Sequence, residues 1–320
     1  MKLIRLDSIN PYFNLAAEEY FLKTGCEDKL ILWQNDNTVV IGKNQSAFTE
    51  INHSRAEEMK VNIVRRMSGG GAVYHDLGNL NYTYITKAGD DDFLNFKKFT
   101  KPVIDALKSL GIDATLSGRN DMLIGGKKFS GNAQYVYKDM LLHHGTLMFS
   151  TSVDILAKVL NVNELKIKSK GIASVKSRVT NIRKHCDISI DEFCELLFKS
   201  AEGTRYQLTQ TDLSEIKKLQ TEKYETWEWN FGYSPKHSFK NEKLFPCGIV
   251  SASLDAKDGK ITDIKFSGDF FGKRDISELE QALIGVRHDY NEILSLLKKT
   301  PVDEYFSGLT YTDIADLIKP

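Results

Sequence analysis

The stretch Arg65-Arg66-Met67-Ser68-Gly69-Gly70-Gly71 combines residue types that can do chemistry on an anion. Three consecutive glycines cost backbone entropy and supply no side-chain packing. A fold keeps them where the backbone bends sharply or approaches a ligand closely, and their N–H groups can cradle phosphate or carboxylate oxygens. An arginine beside them could neutralise the same anion with a fork of donors. On a strand Arg65 and Arg66 point to opposite faces, so only one enters a pocket. Taken alone, a tight turn beside a surface arginine explains the stretch equally well. It is not a Walker A loop, because no Gly-Lys-Ser/Thr follows, and Tyr74 occupies the last glycine position of a dinucleotide fingerprint.

Four other segments carry reactive types. In GGKKFSGNA (125–133) Lys127 and Lys128 must face opposite sides of an extended segment, and an inward lysine could stabilise phosphate or developing carbonyl charge. A solvated lysine is the commoner outcome for such a pair. In RND (119–121) an Asn-Asp turn is the ordinary reading, and Asp121 holding Mg²⁺ beside a nucleotide is the sharper one. His143 and His144 are adjacent, so they cannot both chelate one ion from a strand; one of them should be inward and hydrogen-bonded. KSKGIASVKSRVTN (168–181) is a basic, small-residue loop, either solvated or a mobile cover over an anionic ligand. None of these segments contains a cysteine, and no G-x-S-x-G elbow is present, which weighs against a thiol or serine nucleophile.

The elements that must position these residues follow from periodicity and breakers. Asn14 is expected to cap a helix through LAAEEYFLK, with Glu18 and Glu19 in its first turn and Phe13, Ala16, Ala17, Tyr20 and Phe21 on its apolar face. Strands are expected at 30–34, 38–42 and 62–66, and a short helix at 54–60. NLNYTYI alternates Asn79, Asn81 and Thr83 with Leu80, Tyr82 and Tyr84, the period of a half-buried strand. A helix at 95–110 should end near Gly111. Residues 118–150 read as several antiparallel strands, 153–160 and 191–201 as helices, the latter with Cys194 in its core face. WEWNFG and the polar 234–243 read as the end of a unit and a linker. A hairpin over 245–271 and helices at 277–285 and 291–299 form a second pattern. The chain therefore divides into a large unit, 1–243, and a small α+β unit, 244–320, with a hinge expected near 232–246.

Composition narrows the class. The 320 residues hold 43 Lys plus Arg and 43 Asp plus Glu, a zero formal charge that argues against a dedicated nucleic-acid binder. No apolar window is long enough to span a membrane, and no secretory signal opens the sequence. Cys26, Cys186, Cys194 and Cys247 are scattered, which excludes a zinc ribbon and a disulfide scaffold. A reduced, cytoplasmic protein is expected, with no low-complexity tract and no internal repeat.

Taken together and in this order, RRMSGGGAVYHDLGNLNYTYI, GRND, KKFSGNAQYVYKDMLLHHGTL, KGIASVKSRVTN and WEWNFG resemble the lipoate–protein ligase family, and the small last unit resembles the accessory domain of its two-domain members. The resemblance implies an α+β catalytic domain of mixed and antiparallel sheets with flanking helices, of the biotin and lipoate ligase type. It implies a two-step reaction: lipoate and ATP, with Mg²⁺, form lipoyl-adenylate and pyrophosphate, and the lipoyl group passes to a lysine of an apo acceptor. The acceptors it implies are lipoyl domains of 2-oxoacid dehydrogenase complexes and the glycine-cleavage H protein.

By the same resemblance Lys128 contacts the lipoyl carbonyl and the adenylate phosphate, while Lys127 matches a position that is not catalytic. Arg66 matches the arginine of the lipoate and nucleotide site; Gly71, Ala72, Val73 and Tyr74 match the segment lining the adenylate. Asn120 and Asp121 match positions near the phosphate and Mg²⁺. Ser68, His75, Asn79, His144, Gly145 and Gly171 are further candidates, Gly171 lying in the loop expected to close over the adenylate and shield it from water. The lipoyl tail requires an apolar tunnel. The family suggests a monomer with no tightly bound prosthetic group, and leaves the choice between lipoate and octanoate open. A cysteine-dependent acyltransferase of the same fold is the main alternative. The cysteines lie outside the matched segments, which weighs against it.

Overall fold

The computed structural model describes residues 1–25, 27–45, 47–89, 92–118, 120–160, 178–231, 239–257 and 259–319. In chain order the large unit contains β1 (Lys2–Arg5), α1 (Pro11–Lys23), β2 (Lys29–Trp33), β3 (Thr38–Ile41), α2 (Ala47–Glu50), α3 (His53–Glu58), β4 (Asn62–Arg65), β5 (Val73–His75) and β6 (Asn79–Lys87). There follow α4 (Phe96–Ser109), β7 (Ala114–Ser117), β8 (Asp121–Ile124), β9 (Lys127–Tyr137), β10 (Met140–Met148), α5 (Val153–Val159), α6 (Ile190–Ser200), β11 (Thr204–Arg205), α7 (Gln210–Leu219) and α8 (Trp227–Asn230). An eight-stranded sheet runs β11-β1-β2-β6-β10-β9-β8-β7, and a separate three-stranded sheet runs β4-β3-β5.

The large sheet is covered on both faces. Alternation along a strand sends Leu30 and Leu32 of β2 to one core, with Val103 and Leu107 of α4 and Phe193 and Leu197 of α6. Ile31 and Trp33 go to the other, with Leu15, Ala16 and Phe21 of α1. Burying each such Leu or Ile contributes about 1.5–3 kcal/mol, so a one-residue slip of β2 would invert both faces at once. The expected core position of Cys194 is observed.

Two local expectations are corrected. The cap of α1 is Asn10, whose Oδ1 accepts from Tyr12 N and Phe13 N, because Pro11 supplies a preset φ and no N–H at the first helical position. Asn14 lies inside the helix, and Glu18 and Glu19 sit beyond its first turn and are buried. Strand β6 is not half-exposed: Asn79, Asn81 and Thr83 are buried together with Leu80 and Tyr82. Its polar face looks into a hydrogen-bonded interior rather than water, which a period-two pattern cannot distinguish.

The last unit contains β12 (Phe239–Phe245), β13 (Gly248–Lys257), β14 (Lys260–Gly268), α9 (Ile276–Leu283), α10 (Tyr290–Leu297), α11 (Val302–Tyr305) and α12 (Tyr311–Ile318), with a core of its own. β12 pairs with β13 from Phe239 onward, so the division expected at 243/244 falls inside a strand. This unit rests on the large one beside the glycine stretch. Gly268 N donates to Asn44 O at 2.7 Å, Lys43 Nζ lies 2.7 Å from Asp275 Oδ2, and the rings of Phe96 and Phe271 are 6.2 Å apart.

Candidate active site

The two arginines ending β4 separate as strand geometry requires. Arg65 turns away from the glycines and donates to the carbonyls of Gly42, Lys43, Gln45, Trp229 and Asn230, while Trp229 Nε1 donates back to Arg65 O. It fastens α8 to β4. Arg66 turns inward and holds the glycine loop: Nη2 donates to Gly69 O at 2.7 Å and Gly71 O at 2.8 Å, Nη1 to Val40 O, and Nε to Ser68 Oγ. Burial lowers its pKa to about 10, which leaves it charged at neutral pH beneath the loop. The loop can lie this close only because glycines meet there. A Cβ on Gly42 would stand 2.0 Å from Gly70 O, and Gly70 has φ +92.

A directed hydrogen-bond chain continues from Arg66. Ser68 Oγ lies 2.6 Å from His144 Nε2, and His144 Nδ1 lies 2.9 Å from Glu18 Oε1, which also accepts from Thr83 Oγ1. The Glu18 carboxylate only accepts, so His144 Nδ1–H donates to it, and Nε2 meets the serine hydroxyl. Arg66, Ser68, His144 and Glu18 are all buried, so each member depends on the others for its polar partners.

Across the pocket stands the β8–β9 hairpin. Lys127 is exposed; Lys128, on the opposite face, places Nζ 2.7 Å from Asp121 Oδ1. Gly131 leaves room for that lysine, since a Cβ there would meet Nζ at 3.0 Å. Thr180 N donates to Lys128 O at 2.9 Å, so the described end of the basic loop returns onto this strand. Asn120 and Asn132 join the two strands by reciprocal amide-to-carbonyl bonds. Asp121 is partly exposed, and no group of three His, Cys, Asp or Glu that could hold an ion occurs among the described residues. One carboxylate fits Mg²⁺ bound chiefly through substrate phosphates, which is how that ion is commonly held.

These parts surround one pocket of about 290 Å³. Arg66, Gly71, Ala72, Val73, His75, Asn120, Asp121, Lys128, His144 and Gly145 all line it. Three expected residues stand apart from its wall. Tyr74 faces the other side of β5, where its hydroxyl donates to Asn37 and its ring packs with Val39 and Ile41, because Val73 and His75 take the pocket side. Ser68 and Asn79 lie behind the wall, Asn79 donating to Asn81 Oδ1. Gly171 lies outside the described residues, as do 161–177 of the basic loop and 232–238 of the expected hinge. Leu15, Trp33, Asn81 and Asn132 also line the pocket and were not singled out in the sequence. An acid among apolar helix positions, Glu18, was the available hint of a buried polar group. A larger cleft of about 740 Å³ near α6 includes Cys194, whose thiol burial raises to about 11, so it is protonated at neutral pH.

The profile of the Lipoyl protein ligase A/B catalytic domain matches residues 10–202, and that of the Bacterial lipoate protein ligase C-terminus matches 234–318. The chain belongs to the lipoate–protein ligase family. It is an enzyme of that family, and its fold is the family's. The ligase is 44% identical to lipoate-protein ligase LplJ of Bacillus subtilis, with 99% of this chain and 100% of that one covered. It is 42% identical to lipoate–protein ligase 1 of Staphylococcus aureus over the same shares. Among solved structures, P. falciparum LipL1 in complex with lipoate superposes with a TM-score of 0.82 at 26% identity, covering 99% of this chain and 97% of that one. Lipoate-protein ligase A bound with ATP superposes with a TM-score of 0.65 at 29% identity, covering 72% and 98%.

Proposed function

We propose that this ligase activates lipoate with ATP and passes the lipoyl group to a lysine ε-amine of an apo lipoyl domain. The observation that carries the reading is the pocket itself. Lys128 with Asp121 stands on one wall, the Arg66-held glycine loop on another, and an apolar end is formed by Leu15, Trp33 and Val40. A carboxylate and a polyphosphate repel each other, and such a site lowers that repulsion before attack. A lipoate oxygen attacks the α-phosphorus and pyrophosphate leaves. The acceptor amine then attacks the lipoyl carbonyl carbon, AMP leaves and the nitrogen gives up a proton.

In this reading Lys128 binds the carbonyl and phosphate oxygens, and the N–H groups of Gly71, Ala72 and Val73 line the adenylate. Asn120, Gly145 and His144 shape the wall, while Ser68 and Asn79 support it. Asp121 is the residue that would hold Mg²⁺, which supplies charge neutralisation on the phosphates when bound. Gly171 belongs to the loop that shields the adenylate. The catalytic unit ends before Phe239, where the first strand of the accessory unit begins. Acceptors are lipoyl domains of 2-oxoacid dehydrogenases and the glycine-cleavage H protein. An archaeal ligase described together with its E2 lipoyl domain, 31% identical, supports that acceptor class. The enzyme acts in the cytoplasm as a monomer, with octanoate as a second acyl substrate. No helix among the described residues is long and apolar enough to cross a membrane.

The test is lipoate-dependent ATP–pyrophosphate exchange with Mg²⁺ and no acceptor, followed by mass analysis of an apo lipoyl domain incubated with lipoate and ATP. Exchange and a lipoyl mass gain are expected. Neither appearing would sink the reading.

A further inference from the structure

At the apolar end of the pocket His75 lines the wall, and one of its polar atoms is buried without a partner. His75 is 2% exposed, and its Nε2 has no hydrogen-bond partner. The tautomer of this ring is fixed by a chain of amides that begins on backbone carbonyls. Asn14 Nδ2 lies 2.8 Å from Ser8 O and 2.8 Å from Gln34 O, acceptors only, so this atom must be the amide nitrogen. It also lies 2.9 Å from Asn35 Oδ1, so its two hydrogens are shared among three acceptors, and Asn35 turns its oxygen to Asn14 and its Nδ2 to His75 Nδ1 at 3.1 Å. Asn81 follows the same logic: its Nδ2 lies 3.4 Å from Trp33 O, an acceptor only, and 3.4 Å from His75 Nδ1. Two amide donors converge on Nδ1, so Nδ1 accepts and the proton resides on Nε2. Burial lowers the pKa of the ring to about 3, so it is neutral at physiological pH. The wall at this end therefore holds a neutral, unpartnered N–H donor, on a ring T-shaped to Trp33 with centroids 6.0 Å apart, beside Leu15 and Val40.

An anion does not suit this end, because a neutral imidazole offers no charge and Arg66 spends most of its donors on the glycine loop. A saturated hydrocarbon suits it poorly, because the buried N–H would stay unsatisfied. The ligand that matches is apolar in bulk with a weak acceptor at its far end. In the reading proposed above, on which this inference rests, the substrate carboxylate meets Lys128 on β9. Trp33 lies on β2, three strands away in the order β2-β6-β10-β9, or about 14 Å across the sheet. The distal end of the acyl chain then reaches His75. Lipoate carries divalent sulfur there, a weak acceptor, and octanoate carries only a methyl group.

We infer that the Nε2–H of His75 is a specificity-determining donor that hydrogen-bonds a sulfur of the dithiolane ring and favours lipoate over octanoate. The test compares kcat/KM for lipoate and octanoate in ATP–pyrophosphate exchange by the wild-type chain, His75→Phe and His75→Gln. In wild type the ratio should favour lipoate by about fivefold or more, the usual effect of leaving a buried donor unpaired. His75→Phe should reduce the ratio to a fifth or less of its wild-type value, mainly through KM for lipoate. His75→Gln, which keeps an N–H donor, should retain more of it. Equal losses for both acids in His75→Phe would mean a structural role only and overturn the inference. Should that variant not fold, the imidazole Nε2–H resonance of the wild-type chain decides. It should move more with lipoate than with octanoate, and equal shifts would again overturn the inference. Absence of lipoate-dependent exchange in wild type would instead refute the adenylation reading itself.

Discussion

Lys127 and Lys128 are neighbours on β9, yet only Lys128 reaches Asp121 and the pocket, while Lys127 is exposed. Lys128→Ala removes a positive charge from the point where carbonyl and phosphate charge develop. Loss of one such group lowers a rate by about 10²–10³-fold. We expect pyrophosphate exchange to fall at least that far with thermal stability little changed, and Lys127→Ala to keep exchange within about threefold, as an exposed side chain away from the site should. Matched losses in the two variants would remove Lys128 from its role. The one-in, one-out rule for adjacent strand residues also required Arg65 and Arg66 to part in the sequence, and the resemblance to the family named Arg66 as the inward one. What it could not reveal is that Arg66 acts mostly on its own loop, because the carbonyls it holds belong to Gly69, Gly71 and Val40 and converge only on folding.

At the scale of elements, the glycine loop depends on strand β3. Gly42 follows β3, and the missing Cβ there lets Gly70 O pass. Gly42→Ala places a carbon 2.0 Å from that oxygen, which no side-chain rotation relieves because the clash is with backbone. We expect the loop to shift, exchange to drop at least tenfold and stability to fall by about 1–3 kcal/mol, the cost typical of overpacking. Exchange kinetics and urea unfolding check both, and normal exchange would show that the loop tolerates the displacement. Most elements were legible from period and turn residues, including β9, β10 and the 245–271 hairpin. The misreadings have a common cause. Asn14 looked like a cap and β6 looked half-solvated because polar residues usually mark exposure, and here they are buried and donate to backbone carbonyls and to one another inside the fold.

The buried histidines make the whole molecule sensitive to acid. Burial lowers His75 to about 3, and His143 is pushed well below the ordinary range for the same reason. Between the unfolded value near 6.5 and the folded values, the unfolded chain binds protons that the native state refuses. Stability is thus fully present above about pH 6.5 and is lost as pH falls, by about 1.4 kcal/mol per pH unit for each histidine. Urea unfolding at pH 7 and pH 5 should show this loss, and His75→Phe should show a smaller one. A pH-independent unfolding free energy over that range would contradict the burial of both rings.

By itself the sequence determined the family and the order of the elements and marked off a small last unit, and its resemblance to the family singled out Lys128. These follow from local spacing, turn chemistry and motifs, which act over a few residues at a time. Tertiary structure alone decided that Glu18 of α1 meets His144 of β10, that Tyr74 leaves the pocket while His75 enters it, and that a chain of asparagines fixes the proton of that histidine. Each of these joins groups far apart in sequence. Hydrogen-bond direction and burial are properties of such meetings, and exist only once the sheets have closed around the pocket.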